Sequence, residues 1–231
     1  MISSKKRLVA VLLPAMFLPF VASLYYFVYT EDAFARVLYV LAKSFTVLWP
    51  ILAFRFVLRG ELSRFSLGDF DRKTMSEGVA FGALVVLGMV LLWQVFFFDL
   101  VSQATPRIAV KVRELGVSDY YLEFSLFLSL VHSLIEEYYW RWFVFGGLLR
   151  VTSSPVMAHV FAGAAFAAHH VVVLSRYFPT SWALVFGFIV GAGGICWSMM
   201  YLRHKSLVGA WISHAMVDLG ILSIGAYILE V

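Results

Sequence analysis

FSLFLSLVHSLIEEYYWRWFVFGGLL, residues 124–149, sets two adjacent acids, Glu136 and Glu137, inside an apolar run long enough to cross a bilayer. An ionised carboxylate surrounded by hydrocarbon neutralises, finds a partner or turns towards a wet, protein-lined interior, because burying it alone is too costly. The surroundings are just as apolar. Of 231 residues, 62% are hydrophobic and 14% charged. A soluble domain holds about 45–50% and about 25% of each. The composition excludes an ordinary soluble domain and makes the chain an integral membrane protein.

Apolar segments fall at about 8–28, 37–57, 77–100, 120–150, 155–175, 181–202 and 206–229. Each reaches transmembrane-helix length, and none alternates apolar and polar residues as a membrane barrel does. The expected fold is all-α, a polytopic membrane bundle of seven to eight transmembrane helices enclosing a polar cavity. One membrane-embedded domain is expected over 1–231. The segment 120–150 would be about 46 Å long as one helix, against a hydrocarbon core of about 30 Å. It must tilt, protrude or break, and a break supplies the eighth helix.

Lys5, Lys6 and Arg7 ahead of an apolar run resemble a signal peptide, with Val21-Ala22-Ser23 as a cleavage site. The run continues to about Val28, so it reads as a retained first helix. The single Cys196 excludes an intramolecular disulfide and a thiolate-rich zinc cluster. The net charge of +4 is spread over loops, so no nucleic-acid partner is expected. Lys5, Lys6, Arg7, Arg55, Arg59, Arg64, Arg72, Lys73, Arg150, Arg203 and Lys205 fall on one side. Arg36, Arg107, Lys111, Arg113 and Arg176 fall on the other. That bias predicts a cytoplasmic N-terminus. A compact chain with no organelle-retention signal points to a bacterial plasma membrane.

Few ionisable groups lie inside the apolar segments, and these are the functional candidates. Glu137 and Arg141 stand at i and i+4, in the favourable order for an ion pair. Glu136 lies about 100° round the helix, where Arg141 is harder to reach. One acid therefore reads as a structural counter-ion and the other as a candidate general base, with a purely structural clamp as the bland alternative. In FAAHH, 166–170, Phe166 and His170 share a face, and His169 points about 100° away. Single histidines on apolar helices are more often hydrogen-bonded core residues than catalysts. Two in succession leave the question even. In HAMVD, 214–218, Asp218 stands one turn from His214, as an orienting carboxylate or as polar glue between helices.

VTSSP, 151–155, reads as a turn with Pro155 opening the next helix. Glu136 lies about 21 Å before that turn and His170 about 24 Å after it, at 1.5 Å per residue. An antiparallel hairpin brings them to one depth, where they can share a water. His214 lies about 15 Å beyond the turn at 203–205, a looser match.

EExxxR, FxxxH and an HxxxN-like motif, in this order, resemble the CAAX-protease and bacteriocin-processing family of intramembrane peptidases. The residues are Glu136 to Arg141, Phe166 to His170 and His214 to Asp218, and the resemblance covers about 120–220. It implies a helical bundle with a water-accessible cavity and peptide hydrolysis inside it. The implied roles are water activation by Glu136 and His170, and oxyanion stabilisation by His214 with Asp218. Glu137, Arg141 and Phe166 are implied to support the site, and His169 stands as an alternative. Asp218 departs from the Asn of the best-known branch; an acid donates no hydrogen bond unless protonated.

HExxH is absent, so no cofactor is favoured. Zn²⁺ stays open, with Glu136, His170, His214 and Asp218 as its ligands. The expected partners are a peptide or membrane-anchored protein substrate and the lipid bilayer. Two other classes compete: a non-catalytic scaffold, immunity or regulatory protein of the same fold, and a transporter or proton pathway. Against the last, the polar clusters all lie in the C-terminal half, and no paired interrupted helices mark repeat halves. Gly191-Ala-Gly-Gly194 reads as close helix packing rather than a nucleotide loop.

Overall fold

The computed structural model describes residues 4–29, 33–58, 65–152 and 154–230. Arg59, Arg64, Ser153 and the side chain of Arg36 lie outside the described residues. Among the described residues the chain is mostly helical, with no strand: α1 Ser4–Leu24, α2 Ala33–Leu52, α3 Arg72–Leu92 and α4 Phe98–Glu114 come first. Then come α5 Tyr121–Phe127, α6 Ser133–Glu137, α7 Gly146–Val151, α8 Pro155–Leu174, α9 Thr180–His204 and α10 Val208–Leu229. The protein is a polytopic helical bundle. Six of its helical runs are long and apolar enough to cross a membrane: Lys5–Tyr29, Val37–Leu58, Arg72–Glu114, Pro155–Leu174, Thr180–His204 and Val208–Leu229.

The long segment around the paired acids neither stays a uniform α-helix nor opens into a turn. Between α5 and α7 the helix continues through two wider π-helical stretches, Leu128–His132 and Tyr138–Phe145. The second closes on a Gly146 N–H that donates to the Arg141 carbonyl, five residues back. Widening by one residue per turn re-aims side chains without leaving backbone groups unpaired, which lipid would not tolerate. Further π-helical stretches end the first three runs at Tyr25–Tyr29, Ala53–Leu58 and Trp93–Phe97. In α2, Pro50 lies three residues before such a stretch and supplies no N–H to the helical ladder.

The chain forms two compact units, each discontinuous in sequence. The first comprises 1–67 with 135–207, and so holds α1, α2 and α7 to α9. Its α8 and α9 are antiparallel neighbours. A Cβ on Gly163 would meet Ile195 and the Gly191 carbonyl, and one on Gly194 would meet Phe166. Small residues let these backbones approach, as membrane helices need when no hydrophobic force drives them together. Tyr139 ties the middle of the unit by donating to the Ala15 carbonyl at 2.7 Å.

The second unit comprises 68–134 with 208–231. Its α3 and α10 run parallel: Gly78 meets Gly209, Gly82 meets Ser213 and Met216, and Gly220 meets Met89. Asp71 caps α3, accepting from the backbone N–H of Lys73 at 2.9 Å and of Thr74 at 3.0 Å. Between the far ends of these helices lies an apolar groove of about 520 Å³, lined by Trp93, Met216 and Tyr227 among others.

Candidate functional site

The paired acids part company at once. Glu137 is fully buried and held by Arg141, whose Nε donates to Oε2 at 3.0 Å and Nη2 to Oε1 at 3.1 Å. Two parallel N–H bonds to one carboxylate match the guanidinium fork, and both charges are removed from water together. The guanidinium also lies over two rings, 4.8 Å from the centre of Phe166 and 5.3 Å from that of Trp197. Desolvated stacking of this kind stabilises a cation. Its Nη1 is buried with no hydrogen-bond partner among the described residues.

Glu136, one position earlier, is buried without sharing in that pair, and it keeps company with histidines. Oε1 of Glu136 stands 4.0 Å from Nε2 of His169. One ligand-capable atom each from Glu136, His169 and His170 lie within 4.8 Å of one another. The two histidines come from the C-terminal third of α8, and the acid comes from α6, on the other side of the turn that precedes Pro155.

Each imidazole is fixed by its own surroundings. Nδ1 of His170 lies 2.8 Å from the Phe166 carbonyl, which can only accept, so Nδ1 carries a proton, and in the neutral imidazole Nε2 is the ring nitrogen with the lone pair. The His169 ring lies flat against Trp140, with 4° between planes and 5.6 Å between centres. It meets Phe166 edge-on and lies 4.1 Å, centre to centre, from the His170 ring. Nδ1 of His169 is buried without a hydrogen-bond partner among the described residues. Phe166 thus touches Arg141, His169 and His170, joining the structural pair to the histidine doublet.

The third predicted cluster lies in the other unit. On α10, Nε2 of His214 stands 3.6 Å from Oδ1 of Asp218 one turn on, with His214 buried and Asp218 about a quarter exposed at its side chain. The structure therefore gathers Glu136 with both histidines of the doublet, and His214 with Asp218, in separate compact units.

Residues 119–220 match the family of type II CAAX prenyl endopeptidase Rce1-like proteins. Over that segment the chain is similar to the Rce1-like family. The match takes in all three motifs and every residue of both clusters, and ends two residues after Asp218. No curated protein and no solved structure matches the chain. The matched family is one of CAAX-type proteases, and the six long apolar helical runs make the chain an integral membrane protein.

Two features of the site are not legible in motif spacing. His169 is not a motif position, and its spacing from Phe166 puts it on another helix face. It reaches Glu136 nonetheless, because the acid approaches α8 on the side where His169 points. The adjacent pair of histidines was the signal. Trp140 is the other, standing at i+4 from Glu136 and so sharing its helix face.

A carboxylate and two imidazoles are also a donor set for a divalent metal. Glu136, His169 and His170 supply it within one unit, with His170 already donating its other ring N–H to a carbonyl, as metal-bound histidines do. His169 replaces His214 and Asp218 of the sequence-derived ligand set in this grouping. A bound Zn²⁺ would polarise a carbonyl or acidify a water.

Proposed function

We propose that this chain is an intramembrane endopeptidase that hydrolyses a peptide bond with water activated by Glu136 and His170, without a metal. The substrate is a peptide or membrane-anchored protein, cleaved near its C-terminus. The observation that supports this most is the burial of Glu136 outside the Glu137–Arg141 pair, beside two imidazoles, within the segment matching a peptidase family.

In this reading a water lies between the Glu136 carboxylate and Nε2 of His170. Glu136 takes one proton as the water oxygen bonds to the scissile carbonyl carbon, and His170 accepts the second hydrogen bond through its lone pair. The tetrahedral intermediate then collapses. The C–N bond breaks, and the proton on Glu136 passes to the departing amine. No covalent enzyme intermediate forms. His214 is assigned to the developing oxyanion by its motif, and Asp218 to holding its imidazole. Glu137 and Arg141 hold the helix that carries Glu136.

The test is cleavage of a C-terminally CAAX-type, membrane-anchored substrate in proteoliposomes by wild type, E136A and H170A, each confirmed as folded by size-exclusion chromatography. Both variants are expected to lose at least a hundredfold in rate, since general-base removal costs about 10²–10⁴-fold. Full proteolysis by both would end the proposal. A cellular activity that survives E136Q would instead make the chain a non-catalytic member of the fold.

A further inference from the structure

We infer that Lys43 of α2 is a specificity-determining residue, which binds the C-terminal carboxylate of the substrate beside Glu136, His169 and His170. This role rests on the peptidase reading above, which sets the peptide beside those groups. Lys43 lies inside the apolar run Val37–Leu58. A lysine within a membrane span is costly, faces the protein interior as a rule, and marks a binding pathway there.

Two contacts fix α2 against the helices that carry the site. One turn before Lys43, the Tyr39 ring stacks on Tyr26 at 4.7 Å between centres and joins a packed cluster with Phe27 and Val172. Val172 stands three residues after His169 on α8. One turn after Lys43, the Val47 carbonyl accepts from the Tyr138 hydroxyl at 3.1 Å, and Tyr138 stands two residues after Glu136. Lys43 lies between these anchors on one helical face, since 39, 43 and 47 repeat at i, i+4. Its ammonium is 5.6 Å from the centre of the Tyr39 ring and within electrostatic reach of buried His169. The side chain thus turns into the unit rather than snorkelling to the headgroups.

Charge decides what such a group binds. A substrate carboxylate brought beside Glu136 meets a like charge in a low-dielectric site, where repulsion is strongest. It needs a cation. Arg141 is committed to Glu137 by two hydrogen bonds. Lys43 is a second cation in the same compact unit. An ammonium has three N–H donors on a flexible stem, so it can donate to a carboxylate while keeping the ring beside it. A free C-terminus is the carboxylate that every uncapped peptide carries. Extended chain covers at most about 3.6 Å per residue. A bond cleaved a few residues from the terminus therefore leaves that carboxylate within reach of an ammonium one turn from the Tyr138 anchor.

The test uses the membrane-anchored CAAX-type substrate as its C-terminal free acid and as its C-terminal amide, with wild type, K43M and K43R in proteoliposomes. Wild type is expected to show a KM at least tenfold lower for the acid, the scale of one charge-assisted hydrogen bond. K43M keeps the length of the side chain and loses its charge. It is expected to raise KM for the acid to that for the amide, with kcat within threefold. K43R is expected to retain the preference. Binding of the two peptides to E136Q, read by fluorescence anisotropy, is expected to show the same preference, and E136Q/K43M to lose it. The role is overturned if wild type does not distinguish acid from amide, if K43M keeps the preference, or if K43M loses equally on both peptides. Cleavage that persists in E136A ends the catalytic reading separately, and the binding comparison still decides the role of Lys43.

Discussion

Nε2 of His169 stands 4.0 Å from Oε1 of Glu136, while Glu137, the next residue, accepts two hydrogen bonds from Arg141. Adjacent positions on one helix thus face two different chemistries: an imidazole pair on one side and a guanidinium on the other. Neither acid lies bare in hydrocarbon. The first prediction follows from this division.

Removing one partner of a buried ion pair strands the other charge, at a cost of about 3–5 kcal/mol. E137A is therefore expected to lower the thermal unfolding midpoint in detergent far more than E136A, which breaks no bidentate pair. Midpoints for the two variants that agree within error would undo the division of labour.

Arg141 and Lys are not interchangeable here. Lys keeps the charge but loses the two-pronged contact with Glu137 and the planar stack on Phe166 and Trp197. R141K is expected to destabilise the protein by about 2 kcal/mol or more, judged from the cost of breaking buried charged hydrogen bonds. The double variant E137M/R141M is expected to be more stable than R141M alone, because it strands no charge. A double variant no better than the single one would show that the pair does more than neutralise itself.

How much of this was legible in the sequence depends on which residues are asked. Glu137 and Arg141 at i, i+4 specify an ion pair by spacing alone, and Pro155 after a short turn specifies the hairpin that matches the depths of Glu136 and His170. The membrane class follows from hydropathy. The π-helical stretches do not, since no residue type marks where a helix of Tyr, Trp and Phe widens by one residue. That widening falls at Tyr138–Phe145, directly after the paired acids. The approach of His169 to Glu136 is hidden for a related reason. Helical spacing fixes which way a side chain leaves its own helix, but not from which side the neighbouring helix approaches. The pairing of α3 with α10 was equally hidden, because it joins glycines far apart in the chain.

Those glycines give a prediction confined to the second unit. A Cβ at Gly78 would come within 3 Å of the backbone of Gly209, where nothing flexible can yield, whereas one at Gly88 would meet nothing within 4 Å. G78A is expected to force α3 from α10 and lower the unfolding midpoint. G88A is expected to be neutral or stabilising, by up to about 1 kcal/mol from helix propensity. Equal midpoints for the two would count against the close parallel packing of these helices.

Asp218 supplies the last prediction, since it is where the third motif departs from Asn. Its Oδ1 lies 3.6 Å from Nε2 of His214, one turn away on the same helix. At that distance the carboxylate lies within ion-pair reach of the imidazole but beyond a direct hydrogen bond, and it cannot donate to an oxyanion while ionised. If orientation of His214 is its task, the amide oxygen of Asn can take over the acceptor role. D218N is then expected to cleave within about tenfold of wild type, and D218L to fall about a hundredfold, the scale of losing one oxyanion donor. The comparison is read as initial cleavage rates in proteoliposomes, with KM measured separately, because loss of orientation acts on kcat. A D218L enzyme as fast as wild type would reduce the His214–Asp218 contact to polar packing on α10.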